Sequence, residues 1–123
     1  MKINRMMINV CSQDIEKSKL FYTSLFAFNV NYNSDWFIHL VSEGNGLELG
    51  IIAEGHEIVP EGIGGKTMGV YLTFVVDNVD EFYTNSQKLG YKVIQEPCMT
   101  PYGQKRMLIG APEGTVCDVS SPS

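Results

Sequence analysis

Basic residues are scarce in this chain: nine Lys and Arg stand against 14 Asp and Glu, for a net charge of −5. With no basic run anywhere, the electrostatic footprint of a nucleic-acid binder is missing, and the balance mildly favours neutral or cationic ligands. Long apolar runs are lacking too. No stretch approaches the ~18 apolar residues of a membrane span. The apolar run in MKINRMMINVCSQD is too short for a signal peptide, so a soluble cytoplasmic protein is expected, with no membrane partner.

Sulfur and imidazole are sparse as well. Cys11, Cys98 and Cys117 are odd in number and lack metal-ligand spacing, which reads as buried thiols of a reduced compartment. Histidine is limited to His39 and His56. His39 sits between bulky apolar neighbours and reads as a satisfied strand residue, and His56 reads as a solvated loop residue. The chain has no G-x-S-x-G, no Cys with an evident His partner and no Gly-rich phosphate loop after a strand. Gly62-Ile63-Gly64-Gly65-Lys66-Thr67 lacks the spacing of such a loop and precedes a strand. A chain of 123 residues still buries roughly 65% of its unfolded surface. The fold therefore needs neither disulfide nor metal, and no cofactor is expected.

What is present is a regular alternation of elements. Met6, Met7, Ile8 and Val10 lead into Ser12-Gln13-Asp14, where a short polar side chain can cap a helix start. The helix that follows places Ile15, Leu20, Phe21 and Leu25, with Ser18 and Tyr22, on one broad face. Strands are expected at Phe28–Asn33, Trp36–Val41 and Leu47–Ala53, separated by polar turns. The Gly- and Pro-punctuated stretch Glu54–Thr67 is the one long connection. The order then repeats: a strand at Met68–Val76, a helix at Asp77–Leu89 ended by Gly90, a strand at Tyr91–Gln95 broken by Pro97, and strands at Gln104–Ile109 and Thr115–Val119. Ala27-Phe28-Asn29-Val30 aligns with Gly90-Tyr91-Lys92-Val93, and Ser42–Leu49 aligns with Pro112–Val119. The expectation is one α+β domain over residues 1–123 built from two tandem βαβββ modules, 1–53 and 68–123, joined by 54–67.

Three runs carry a family resemblance: Asp14–Phe28 (DIEKSKLFYTSLFAF), Val75–Asp80 (VVDNVD), and Pro101-Tyr102-Gly103 through Arg106 to Ala111-Pro112-Glu113-Gly114-Thr115 and Asp118. They resemble the vicinal oxygen chelate superfamily, which includes glyoxalase I, bleomycin-resistance proteins and extradiol dioxygenases. The resemblance covers nearly the whole chain. It implies paired modules whose mixed sheets curl around a cleft, often in a homodimer. Fold, however, does not dictate chemistry.

Alternation then assigns faces. Met6, Ile8 and Val10 suit the helix side of the first strand, which leaves Met7, Asn9 and Cys11 on the cleft side. Val70, Leu72, Phe74 and Val76 cover the second helix, with Tyr71, Thr73 and Val75 turned inward. Leu47, Leu49 and Ile51 pack outward and Glu48, Gly50 and Ile52 turn in; by the repeat, Asp118 turns in with Val116 and Ser120. The resemblance implies metal-ligand positions at Met7, Glu48, Tyr71 and Asp118, where both carboxylates survive and both imidazoles are replaced. Imidazole-seeking metals fit such a set poorly, although two carboxylates can hold a hard cation with several waters.

The expected function is therefore non-catalytic binding of a small aromatic or cationic, antibiotic-like molecule. Met7, Asn9, Trp36, Glu48, Tyr71, Tyr102, Arg106 and Asp118 are the candidate ligand residues, with Phe37 a further aromatic wall. Arg106 resembles an arginine often found after this hairpin in the family and suits an anionic group or a neighbouring carboxylate. The alternatives are a metal-dependent lyase, isomerase or dioxygenase, and an interaction module whose cleft is plugged by its own side chains.

Overall fold

The computed structural model describes residues 1–122. The chain divides into two compact units, Met1–Thr67 and a second beginning at Met68. Each runs strand, helix, three strands.

In the first unit these are β1 (Ile8–Ser12), α1 (Ile15–Phe26), β2 (Phe28–Asn33), β3 (Phe37–Ser42) and β4 (Glu48–Ala53). They form a sheet of order β1-β4-β3-β2, with β1 parallel to β4 and the other pairs antiparallel. The polar run after β1 acts as the sequence suggested. Asp14 caps α1 by accepting from the Lys17 amide at 3.1 Å, and Ser12 Oγ accepts from the Asp14 amide and meets Ser18 Oγ at 2.8 Å. α1 packs Phe21 and Tyr22, both fully buried, onto the sheet face formed by Val10, Ile38, Leu40, Leu49 and Ile51. Tyr22 also meets Phe28 edge-on, with ring centroids 6.4 Å apart.

The second unit comprises β5 (Leu72–Val75), α2 (Val79–Lys88), β6 (Val93–Met99), β7 (Gln104–Gly110) and β8 (Val116–Pro122). Its sheet order is β5-β8-β7-β6, with β5 parallel to β8. Asn78 caps α2 through the Glu81 amide at 3.1 Å. Val79, Phe82, Met107, Ile109, Cys117 and Val119 make the core.

Several boundaries and faces differ from the sequence reading. Leu20 is 59% exposed: Phe21 and Tyr22 fill the sheet-facing arc, and Leu20 falls beside it. Met6, Leu47 and Val70 are exposed because each lies just outside the strand whose alternation it was meant to extend. β5 begins at Leu72, after an irregular stretch with Gly69 at φ 75°. Pro97 does not end its strand. β6 is an edge strand whose register shifts between Gln95 and Cys98, so the missing amide leaves no ladder position empty. Cys11 and Cys117 are buried, whereas Cys98 is exposed on that edge.

The repeat is tighter at some points than at others. Ala27 (φ 54°) and Gly90 (φ 79°), aligned by sequence, both take the left-handed conformation that ends their helices. Glu48 and Asp118, also aligned by sequence, are not equivalent in register. With the caps Asp14 and Asn78 matched, Asn9 matches Thr73, and their partners across the parallel pair are Gly50 and Asp118. Glu48 then corresponds to Val116. The hairpins supply one residue of this two-residue offset: the β3–β4 turn is closed by Ser42 N to Leu47 O and the β7–β8 turn by Ala111 N to Thr115 O, one residue shorter.

Candidate functional site

Strand register builds the site in the first unit. Phe37 lies opposite Ile52, His39 opposite Gly50 and Val41 opposite Glu48, while Asn9 and Cys11 lie opposite Gly50 and Ile52. Residues opposite one another share a face. Because Ile38 and Leu40 pack toward α1, all of these point away from it. On that side is a cavity of about 280 Å³ lined by Met7, Asn9, Cys11, Trp36, Phe37 and Ile52. Ile58, Val59, Pro60 and Ile63 of the connection complete its wall. Gly50 lies beneath two of these lining side chains: a Cβ there would run into the Asn9 carboxamide and press on the Phe37 ring at 3.0 Å.

The connection is anchored to the sheet by Glu54 N to Ser12 O at 2.9 Å, just after Ala53 at the end of β4 bonds Trp36 O at 2.8 Å. His56, expected to be solvated, is half-buried and stacks on Trp36, with centroids 4.1 Å apart and planes 11° from parallel. Its Nδ1 accepts from the Ile58 amide at 3.2 Å. The stack holds the Trp36 ring beside the cavity.

Next to Met7 and Asn9 the same face carries a charged corner. Arg5 Nε donates to both oxygens of Glu48, at 2.8 and 2.7 Å, and Arg5 Nη2 also donates to Oε1. His39 Nε2 lies 2.7 Å from Glu48 Oε1, and the Asn31 amide nitrogen is 3.0 Å from His39 Nδ1. With Asn31 donating to Nδ1, the imidazole proton sits on Nε2 and is directed at Glu48. A bulge in β2 between Val30 and Tyr32 frees Asn31 to reach His39. The Arg5 guanidinium, with help from His39, holds the Glu48 carboxyl down to about 2, and Glu48 in turn raises the Arg5 guanidinium above its ordinary value. Burial, with a smaller contribution from Glu54, pushes the Cys11 thiol up, which makes it a poor nucleophile.

In the second unit, Asp118 is buried. It accepts from Thr73 Oγ1 at 3.1 Å and Ser120 Oγ at 2.8 Å, and Arg106 Nε lies 3.3 Å away. That nitrogen is itself buried and has no hydrogen-bond partner. Tyr71 and Tyr102 are exposed.

Of the sequence-derived site residues, Met7, Asn9 and Trp36 therefore line one cavity, Glu48 lies on the same sheet face outside that lining, and Arg106 meets Asp118 within the second unit. Arg5, Asn31 and His39 were not among them. Strand alternation contains the signal for His39, since Ile38 and Leu40 facing the helix turn it to the Glu48 side. No periodicity marks Arg5, which lies ahead of the first strand.

The four positions at which the family resemblance implies metal ligands do not fit a divalent ion. Glu48 is bound by Arg5 and His39, Asp118 faces Arg106 and two hydroxyls, and Met7 and Tyr71 offer a thioether and a phenol. Among the described residues no three His, Cys, Asp or Glu side chains converge as a metal cluster.

Comparison with known proteins agrees with the topology. The hypothetical protein SA1046 from S. aureus superposes with a TM-score of 0.81 at 21% identity, over 98% of this chain and 95% of that one. A glyoxalase/bleomycin resistance protein/dioxygenase family enzyme from Burkholderia phytofirmans PsJN gives 0.78 at 22% identity, over 95% and 97%. Lactoylglutathione lyase from Agrobacterium tumefaciens gives 0.73 at 17%, over 98% and 96%. At these identities the likeness is one of fold. None of the curated proteins matches in sequence. The family model described as Glyoxalase/Bleomycin resistance protein/Dioxygenase superfamily, however, matches residues 2–118, so this chain belongs to that superfamily.

Proposed function

We propose that the protein binds a small aromatic or cationic, antibiotic-like molecule and sequesters it without chemical change. The observation that carries this reading is the first-unit cavity: about 280 Å³, apolar and aromatic on its walls, on the sheet face that also carries the Glu48 carboxylate two residues along β4 from Gly50. A concave, largely apolar site with a few placed polar groups is the usual form of a small-molecule site. The polar groups present suit binding better than catalysis. Glu48, held at about 2, is a weak base, His39 is bonded through both ring nitrogens, and Cys11 is buried with its thiol pushed up. In the second unit, Tyr71, Tyr102 and the Arg106–Asp118 pair are the proposed ligand contacts. A homodimer in the cytoplasm belongs to the same reading and is supported by the family; light scattering after gel filtration reads the dimer.

A metal-dependent lyase, isomerase or dioxygenase is the competing reading. Its support is the family and the name of the Agrobacterium relative, and it has the donor set at Met7, Glu48, Tyr71 and Asp118 against it. The test is calorimetric titration of a panel of neutral and cationic aromatic amines and amides into wild type, Trp36→Ala and Tyr71→Ala. Wild type binds at least one class; Trp36→Ala weakens binding at the first-unit cavity and Tyr71→Ala binding at the second-unit contacts, each by about 0.5–2 kcal/mol with an unchanged far-UV spectrum. Unchanged affinity in both variants, or one equivalent of tightly held metal lost in Glu48→Gln, overturns the proposal.

A further inference from the structure

The charged corner is built from parts of unequal rigidity. Glu48 and His39 stand on β4 and β3, the two inner strands of the first sheet, and the Glu48 side chain is only 13% exposed. Asn31 pins His39 from its far side. Arg5 belongs to no strand and no helix, its side chain is 61% exposed, and among the described residues its guanidinium donates to Glu48, with Nη2 passing 3.3 Å from His39 Nε2. The carboxylate–imidazole half is thus fixed by the sheet, while the guanidinium is held only by what it donates to. Met7, two residues on from Arg5, lines the adjoining apolar cavity. A planar cation with five donors is already seated where a ligand's cationic head would meet an apolar body lying along Met7, Asn9 and Trp36.

We propose that Arg5 is a built-in surrogate for the ligand's cationic group, a displaceable guanidinium that occupies the Glu48–His39 corner and is exchanged for the guanidinium or amidinium head of an aromatic ligand. The inference rests on the small-molecule reading of the cavity and names the ligand class: an aromatic body carrying a flat, bidentate cation. Geometry selects that class. Glu48 accepts from Arg5 through both of its oxygens, an arrangement a fork of parallel N–H donors reproduces and a neutral amide does not. Arg5 then acts as a filter. Molecules lacking the cation leave it in place and gain nothing at the corner, whereas a matched cation must replace it, so the apparent affinity is reduced by the fraction of time the corner is already filled.

The probes are 2-phenylethylguanidine and its neutral isostere 2-phenylethylurea, titrated against wild type, Arg5→Ala and Glu48→Gln with Trp36 fluorescence as the readout. Arg5→Ala lies outside the sheet and leaves the fold intact. It raises affinity for the guanidine by about tenfold or more, as expected if Arg5 fills the corner some nine-tenths of the time, and leaves urea affinity unchanged. Glu48→Gln removes the guanidine's advantage over the urea. Equal changes for both probes in Arg5→Ala, or no change for either, overturn the exchange while leaving the cavity as a binding site. Failure of both probes to bind any of the three proteins overturns the exchange and the small-molecule reading together.

Discussion

Ala27 is the only described residue other than glycine with a positive φ, at 54°, and it occupies the place Gly90 fills in the second unit. A Cβ in the left-handed region crowds the following carbonyl. Ala27→Gly should therefore stabilise the protein by about 0.5–1 kcal/mol, read as a higher urea midpoint at unchanged slope. Gly50 shows the reverse case: its backbone is ordinary, and glycine suits it because the Asn9 carboxamide and the Phe37 ring lie over it, so that a Cβ would make Asn9 move. Among single residues, then, local sequence identifies the helix stop, and only packing explains the glycine beneath Asn9 and Phe37.

α1 shows how far an apolar pattern can be read at the scale of one element. Leu20 and Phe21 are neighbours, both apolar and both on the broad face the sequence suggests, yet Phe21 is fully buried and Leu20 59% exposed. Phe21→Ala should cost about 3–5 kcal/mol, whereas Leu20→Ala should stay within about 0.5 kcal/mol, both measured by chemical denaturation. A helical wheel defines an arc to within a residue or so, and the sheet beneath decides which side chains in that arc meet the core. The strands obey the same limit. β6 continues through Pro97 because it is an edge with shifted register, and being an edge is a property of sheet order that a single strand does not contain.

At the scale of the whole molecule the charged corner couples pH to stability. Glu48 titrates near 2 when folded, against roughly 4.3 for a free glutamate, because Arg5 and His39 favour its ionised form. Its contribution is thus complete above the unfolded value and is lost as pH falls through about 2. The gap in urea midpoint between wild type and Glu48→Gln should be constant above about pH 5 and close as pH approaches 2; added salt should narrow it, since Arg5 is largely exposed. A gap that persists unchanged at pH 2 refutes this. The order of elements, the cap that starts the first helix, the glycine that ends the second, the two-unit repeat and the apolar face of β4 follow from sequence alone, because caps, turns and alternation are interactions among residues a few positions apart. The meeting of Arg5, Asn31 and His39 with Glu48, the closing of the cavity by the connection and the register mismatch between Glu48 and Asp118 were decided only in the tertiary structure. Each depends on hairpin length, on a bulge, or on the path of a chain segment outside any strand, and those set which distant residues face one another without leaving a period in the sequence.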